Sequence, residues 1–526
     1  MAAFRTANID VINKADTGYD VVIVCTGNVK QAEYWQQRLE SVRGVVIPAS
    51  TTVVAVDEDW KGGAGNGLGT FYAYVKACAV AKEKFGLDIA AGLAAGTHSV
   101  SLYHTAGKGT RLAPMPAAEN NNKPGVKLPV AIPVGEQQAP MSILESVIKQ
   151  TGAYAPSRKG RLSVYWGDQV FIPSVDMAYV PTCHADILCT LGPMASEEEW
   201  IAKGLNGYGL IAVSATGAAQ VEKVTHAEAT SMLASLGELT NVGVSLGSFS
   251  LSSALLAAFC EEFSAELAAK EGKLDTDPHL WMPLTLQCDD YCKLMNGKGV
   301  PVETSKAHFD RMATFIAKFD MGEMGLFGAV DIGEDAFWWD YGQLRWYMKY
   351  NLMLADGEDS ADAVGMRQFF NVCESRVSDD STMGCAMEGG SCASACTIKA
   401  GSVVSSVLSN VVTGSLECEG SILVGVSAKS IKLGKGCIVY NIIDTELDLV
   451  LADGDVMVGI VSDDGTQMII RSNLSIDGGQ AWKEIVCENP HSFEALHGLN
   501  GEADIVKIEG LRKTMTEAAN ALLAGM

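Results

Sequence analysis

The chain has 526 residues, 48% of them hydrophobic, and a formal net charge of −24 at pH 7. That length can bury two or three cores unaided, and the acidic balance, with no basic stripe interleaved with aromatics, excludes a nucleic-acid partner. No run approaches the roughly 18 uninterrupted apolar residues of a membrane span, and residues 1–20 lack a basic start followed by an apolar block, so the expectation is a cytoplasmic protein with no membrane partner.

Taken from the start, Tyr19-Asp-Val-Val-Ile-Val-Cys-Thr-Gly-Asn28 reads as a buried strand and turn, followed by a helical stretch from Gln31 to Val42. Asp57 then leads into Gly62-Gly-Ala-Gly-Asn-Gly-Leu-Gly-Thr70. This run has a dinucleotide-loop look, but glycines there also permit close packing where a helix begins. It lacks the Lys-Ser/Thr ending of a P-loop, which argues against a Walker-type ATPase.

The alternating, β-prone Ser99-Val-Ser-Leu-Tyr103 places the next segment, His104-Thr-Ala-Gly-Lys-Gly-Thr-Arg-Leu-Ala-Pro-Met-Pro116, at the carboxyl end of a strand, where open α/β sheets bind ligands. Gly107 and Gly109 let backbone N–H groups approach phosphate oxygens, and Lys108, Arg111, Lys123 and Lys127 face one acid, Glu119. The segment is an anion cradle. Charge is focused there against the global trend, and distant surface charge is screened within about 8 to 10 Å.

Gly107-Lys-Gly-Thr-Arg-Leu-Ala-Pro114 with Lys123-Pro124 resembles the G-x-G-T-R-L-x-P…K-P signature of the sugar-1-phosphate nucleotidyltransferases. Further partial matches follow in the family's order. Arg161-Leu-Ser-Val-Tyr-Trp-Gly-Asp168 is similar to its strand-end aspartate, Asn206-Gly-Tyr-Gly-Leu and Val221-Glu-Lys223 to its "Y-G" and "V-E-K" elements, Asn241-Val-Gly-Val to its "N-x-G" strand, and Phe337-Trp-Trp-Asp-Tyr-Gly342 to its "W-x-D-x-G" element. The upstream strand, Gln-rich helix and glycine loop resemble the fucose 1-phosphate guanylyltransferase-like branch.

The resemblance implies a Rossmann-like, GT-A-like mixed α/β sheet flanked by helices that condenses a nucleoside triphosphate with a sugar 1-phosphate and releases pyrophosphate. It also implies the roles. Ala106, Gly107, Lys108, Gly109, Thr110 and Gly167 would hold the nucleotide; Arg111 with Lys123 or Lys127 would take up charge on the leaving group. Gly209, Glu222, Lys223 and Asn241 would hold the sugar phosphate, and Asp168 and Asp340 would hold Mg2+. GTP with fucose or another hexose 1-phosphate is the favoured pair, with UDP-sugar or ADP-glucose synthesis as alternatives. Without that context Asp168 reads equally as a cap, Asp340 as a packed polar group, and Lys223–Glu222 as a solvated pair.

The domain reading is a catalytic unit over residues 1–370, a small, polar linker over 371–396 containing Cys385-Ala-Met-Glu-Gly-Gly-Ser391, and a coil over 397–475. In the coil Ile398, Val403, Val407, Val411, Leu416, Ile422, Val426, Ile431, Ile438 and Ile442 recur with interspersed glycines, an approximate hexapeptide period that reads as a left-handed parallel β-helix, with a β-sandwich as the alternative. Residues 476–526 end in an amphipathic segment from Ile508 to Leu523, read as a capping helix, and association of copies through the coil is expected.

Most of the fourteen cysteines read as small core residues; Cys385, Cys392 and Cys396 form a candidate metal cluster without a C-x-x-C pair. Two other functions compete. One is a non-catalytic regulatory or scaffold relative of the same fold, which the presence of Arg111, Asp168 and Asp340 disfavours. The other is a hexapeptide acyltransferase using His491 or His497, neither of which lies in the repeat.

Overall fold

The computed structural model describes residues 2–135, 137–215 and 217–525. The N-terminal part is a mixed sheet. Its strands are β1 (Val21–Thr26), β2 (Thr52–Asp57), β3 (Val100–His104), a small pair β4 (Lys127–Val134) and β5 (Gln137–Ser142), then β6 (Arg161–Trp166), β7 (Gln169–Ile172), β8 (Cys183–Gly192), β9 (Gly209–Ser214), β10 (Gly217–Glu222), β11 (Leu239–Ser252), β12 (Gly325–Asp331) and β13 (Phe337–Asp340). The main sheet runs β10-β9-β11-β6-β3-β1-β2, with β8 on β11 and β12 on β8.

β2, β1, β3 and β6 are mutually parallel, whereas β11 is antiparallel to β6, β8 and β9. The near-continuous apolar run of β1, buried along its whole length, is what a central parallel strand covered on both faces requires. One face packs under α3 (Gly65–Phe85), with Phe71, Trp281 and Phe315 in its core. The other packs under α2 (Val29–Ser41), whose start is capped by the Asn28 side chain accepting from Gln31 N at 2.9 Å.

From Thr382 onward the chain stacks parallel strands on themselves. Thr382 pairs with Thr397, Cys392 with Val407, Val407 with Ile422 and Leu416 with Ile431. Each step is 15 residues, lengthening to 16 at Ile422↔Ile438 and 18 at Ile438↔Val456. Three six-residue strands per turn would give 18 throughout, so the hexapeptide period does not describe most of the stack. The stack also begins inside the stretch read as a linker. Its small residues make corners: Gly389 and Gly390 have φ of 60° and 77°, and Cys392 and Cys396 are buried. The stack ends on an antiparallel pair, Asp455–Val461 with Gln467–Asn473.

Its interior is apolar, built from Val403, Leu408, Val411, Leu416, Leu423, Val426 and Ile431 among others. A different face, carrying Val407, Ile422, Ile438 and Val456, shares one continuous core with Trp35, Leu112, Leu128 and Tyr347 of the N-terminal part. The terminal helix, Ile505–Gly525, packs on both. No described helix is long and apolar enough to cross a membrane.

Candidate active site

The carboxyl ends of β2, β3 and β6 open into a cleft of about 690 Å³, lined by Glu58 after β2, His104 to Lys108 after β3, and Trp166 to Asp168 after β6. This is where parallel strands leave their unpaired ends and loops must diverge. Gly62, Gly63, Gly65 and Asn66 close one side, together with Lys273 and Asp275 from a segment more than 200 residues away.

The glycine run opening α3 is not free to cradle a ligand. Gly67 N and Leu68 N donate to Leu274 O at 2.8 and 3.3 Å, Asn66 N donates to Asp275 Oδ1 at 3.1 Å, and Thr276 N donates to Asn66 Oδ1 at 2.7 Å. A Cβ on Gly65 or Gly67 would lie 2.5 or 2.9 Å from Leu274 O. These glycines serve close packing, and the helix's first N–H groups are spent on holding the 274–276 segment.

On the opposite side Lys123 and Asp168 line the cleft, with Asp340 behind Asp168; Arg111 and Asp340 do not themselves line it, and Arg111 reaches Asp340 only through its charge. Lys123 Nζ donates to Asp168 Oδ2 at 2.5 Å. β13 pairs antiparallel with β7, Asp340 opposite Gln169, so Asp168 and Asp340 arrive side by side although 172 positions separate them in the chain. Gly342 stands between them: a Cβ there would lie 2.9 Å from both Asp168 Oδ2 and Asp340 Oδ1. Burial and the neighbouring Asp168 push the Asp340 carboxyl up to about 6, while the Gly342 N–H, Lys123 and Arg111 partly offset them. Asp340 Oδ1 accepts from Gly342 N at 2.7 Å.

The loop glycines are used individually. Gly109 is left-handed with φ of 64°, and a Cβ there would come within 2.9 Å of Lys123 Cγ, so its bareness lets the lysine stem pass toward Asp168. Ala106, Gly107 and Lys108 line the cleft, and so does Gly167, whose N–H donates to His104 O at 3.3 Å. Gly109 and Thr110 do not line it; Thr110 O lies 2.6 Å from where a Cβ of Gly478 would sit.

Lys127 departs from the sequence reading. It is 6% exposed, begins β4, and turns away from the cleft into a buried network: Nζ donates to Tyr34 OH at 2.9 Å and lies 3.6 Å from Glu119 and 3.5 Å from Glu509. Although burial works against its charge, Glu119, Tyr34 and Glu509 keep the ammonium protonated well above its ordinary range. Of the two lysines, Lys123 is therefore the one at the aspartates. Asn241 also departs: it pairs with Val213, four residues along β9 from Gly209, or roughly 13 Å of strand.

Lys223 holds φ of 56° and an exposed side chain whose Nζ lies 3.3 Å from Glu222 Oε1; its N–H donates to Tyr208 O at 3.0 Å. The Tyr208 ring lies 6.4 Å from Trp338, two residues before Asp340, which brings the Gly209–Lys223 element to the aspartate side of the cleft.

Several lining residues escaped the motif search. His104 stacks on Trp166 at 5.5 Å, shares a 2.8 Å hydrogen bond with Thr70, and is pushed down to about 4 by burial, so it is neutral near pH 7. Its place in the quoted motif was the only signal for it. Lys273 and Asp275 gave none, because only tertiary folding brings them in. Among the described residues no group of three or more His, Cys, Asp or Glu is arranged to hold a metal, Cys385, Cys392 and Cys396 included. No family model and no curated protein matches the chain.

Proposed function

We propose that the cleft transfers a nucleotidyl group: an oxygen of a sugar 1-phosphate attacks the α-phosphorus of a nucleoside triphosphate, a P–O bond forms to it, and the bond to pyrophosphate breaks. GTP with fucose or another hexose 1-phosphate is the favoured pair. One observation carries the reading. The exposed, cation-bearing glycine loop and Asp168 share the carboxyl edge of a parallel sheet, and the β7–β13 pair sets Asp340, far away in sequence, beside Asp168.

Two anions must come within about 3 to 3.5 Å to react, so the protein's task is positioning and neutralisation. Arg111 and Lys123 take up negative charge on the departing pyrophosphate. Gly107 gives the phosphates access to the backbone, and Trp166 with neutral His104 supplies a flat apolar wall. Lys223, on the aspartate side of the cleft, would meet the acceptor phosphate.

The paired carboxylates fit a divalent ion. They flank Gly342, and burial together with the charge of Asp168 raises the Asp340 carboxyl, a penalty on its charge that a dication would relieve. Asp168 and Asp340 would hold Mg2+, whose oxygen-seeking chemistry takes one or two carboxylates plus substrate phosphates and would neutralise charge at the reacting phosphate. The same proposal reads the sheet as a Rossmann-like nucleotidyltransferase domain, the stacked turns as a left-handed β-helix, and the protein as a cytoplasmic enzyme. Fourteen unpaired cysteines accord with a reducing compartment.

The test is pyrophosphate release across four nucleoside triphosphates and a panel of hexose 1-phosphates, with Mg2+ and with chelator. Release with at least one pair, abolished by chelator, is expected. Arg111→Ala and Asp340→Asn should each slow it at least about 100-fold. No release with any pair, from well-folded protein, overturns the reading in favour of a scaffold role.

A further inference from the structure

The motifs give a use to the cationic end of the 690 Å³ cleft and none to its far end. Along the carboxyl edge of the sheet the order β2, β1, β3, β6 sets the strand end before Glu58 three strand spacings, roughly 14 Å, from the one before Asp168. Lys123 stands at the Asp168 end, while Glu58, Lys273 and Asp275 line the other. A nucleotide lying along this edge with its phosphates at the Lys123 end would bring its base to Glu58.

The Glu58 carboxylate is half used. Its Oε1 accepts from Ala64 N at 2.9 Å, which turns the loop back before α3. Its Oε2 has no hydrogen-bond partner among the described residues and lies against the bare Cα of Gly69: a Cβ there would stand 2.7 Å from Oε2 and 3.6 Å from His104 Cε1. The open oxygen therefore sits beside the wall that His104 and Trp166 present to the cleft. Burial raises the Glu58 carboxyl above its ordinary range, while the Ala64 N–H and the charge of Lys273 work against that rise.

Lys273 is held as firmly and is equally unclaimed. Its neighbours tie its backbone to the Glu58 loop: Gly272 O accepts from Trp60 Nε1 at 3.1 Å, and Leu274 N donates to Ala64 O at 3.0 Å. Its ammonium closes no salt bridge among the described residues, although Glu58 feels its charge and both line the same cavity. A carboxylate only accepts and an ammonium only donates, so the pair offers a fixed pattern to whatever enters between them.

Of the four bases, guanine alone sets two adjacent donors, N1–H and the 2-amino group, next to an acceptor, O6, along its Watson–Crick edge. Adenine and cytosine would turn an unprotonated ring nitrogen toward the carboxylate. Uracil flanks its single N–H with two carbonyl oxygens, one of which the carboxylate repels.

We propose that Glu58 reads N1–H and the 2-amino group of guanine and Lys273 reads O6, so that this end of the cleft selects GTP. The assignment rests on the transfer reading for the presence of a nucleotide. Glu58→Gln keeps an acceptor for Ala64 N and turns the open oxygen into a donor; Lys273→Met removes the charge and keeps an unbranched stem. Gly69→Ala pushes a methyl at Glu58 Oε2 from within α3, where alanine is a better helix former than glycine.

The test measures nucleotide binding by calorimetry on the full chain with Mg2+ and no sugar phosphate, apart from turnover. The probes are GTP, ATP, CTP and UTP, inosine triphosphate, which lacks the 2-amino group, xanthosine triphosphate, which carries an oxygen in its place, and inorganic tripolyphosphate. Wild-type protein should bind GTP at least about 10-fold more tightly than any other nucleotide, since a site built for a donor penalises its loss. Glu58→Gln and Gly69→Ala should each weaken GTP at least about 10-fold and leave ATP and tripolyphosphate within about twofold, and Glu58→Gln should tighten xanthosine triphosphate. Lys273→Met should weaken GTP and inosine triphosphate alike, because both carry O6. No preference for GTP in folded wild-type protein, equal weakening of every ligand, or unchanged GTP binding in Glu58→Gln would each overturn the proposal. Selective GTP binding without pyrophosphate release from any pair would retain the base subsite and overturn the transfer reading; release with another triphosphate and none with GTP would do the reverse. Should Glu58→Gln fail to fold, Gly69→Ala decides.

Discussion

Asp340 would tie the proposed transfer to stability through a single carboxyl. Its affinity for a proton is higher in the folded protein than in the unfolded chain, because burial and Asp168 disfavour its charge. The native state therefore binds more protons between about pH 4 and 6, and the stability this contributes is lost as pH rises through about 6. Asp340→Asn, without metal, should raise folding stability near pH 7 by about 1 to 3 kcal/mol, while slowing the proposed transfer at least about 100-fold. Melting temperatures with chelator, compared between about pH 5 and 7.5, check it: the gap over wild type should widen with pH. A constant gap would mean that Asp340 is not the group responsible. The two aspartates stood out in the sequence only through their likeness to motif elements, Gly167-Asp168 and Asp340-Tyr-Gly342; their side-by-side placement depends on the β7–β13 pairing, which no local pattern reports. The choice between Lys123 and Lys127 stayed open in the sequence because spacing alone cannot tell which of two nearby lysines turns into a core; one residue of strand register reverses a side chain's direction.

At the scale of elements, the loop that carries Arg111 is held mainly from the far end of the chain. Asn120 Nδ2 donates to Val461 O, Asn121 Nδ2 to His497 O, and Asn500 Nδ2 to Ala117 O at 3.2, 2.7 and 2.9 Å. Glu119 accepts from Tyr440 OH at 2.5 Å, Asn441 Nδ2 at 3.0 Å and Arg512 Nη1 at 3.1 Å. Removing one member leaves opposite charges buried without partners. Glu119→Ala should therefore destabilise the fold by about 3 to 5 kcal/mol, whereas Glu119→Gln with Arg512→Met should recover much of the loss. Chemical denaturation of Glu119→Ala, of Glu119→Gln and Arg512→Met singly, and of their double measures it; full additivity of the last two substitutions would deny the coupling. None of these partners was visible in the sequence, where residues 476–526 suggested only a cap. The strand ends were visible because local periodicity reports burial directly. At the glycine run 62–70, of the two readings open in the sequence the structure takes close packing, since backbone permissiveness serves a neighbouring chain segment as readily as a phosphate.

Over the whole molecule, the apolar core makes no break between the sheet and the stack: Ile9, Trp35, Tyr347, Ile438 and Ile505 belong to one contiguous cluster. The two architectures should unfold together. Equilibrium denaturation followed by tryptophan fluorescence, which samples chiefly the sheet with Trp35, Trp200 and Trp281, and by far-ultraviolet circular dichroism should give one coincident transition. Two separated transitions would show that the stack folds on its own. The boundary near residue 370 was legible as a change of rhythm, but the 15-residue register was not. It arises from corner geometry, with left-handed Ala395, Ser405, Asn410 and Asn441 among the turning points, and hydrophobic spacing reports strand faces better than corner lengths.

The dependence of the Arg111 loop on Arg512 also sets a schedule. Glu119 and Arg512 are 393 positions apart, so at about 5 to 20 residues per second a ribosome needs roughly 20 to 80 s after making the first to deliver the second. Through that interval the emerging polypeptide has the Arg111 loop but not its charge partner for Glu119, and a premature stop codon before the final helix would leave Glu119 permanently without Arg512.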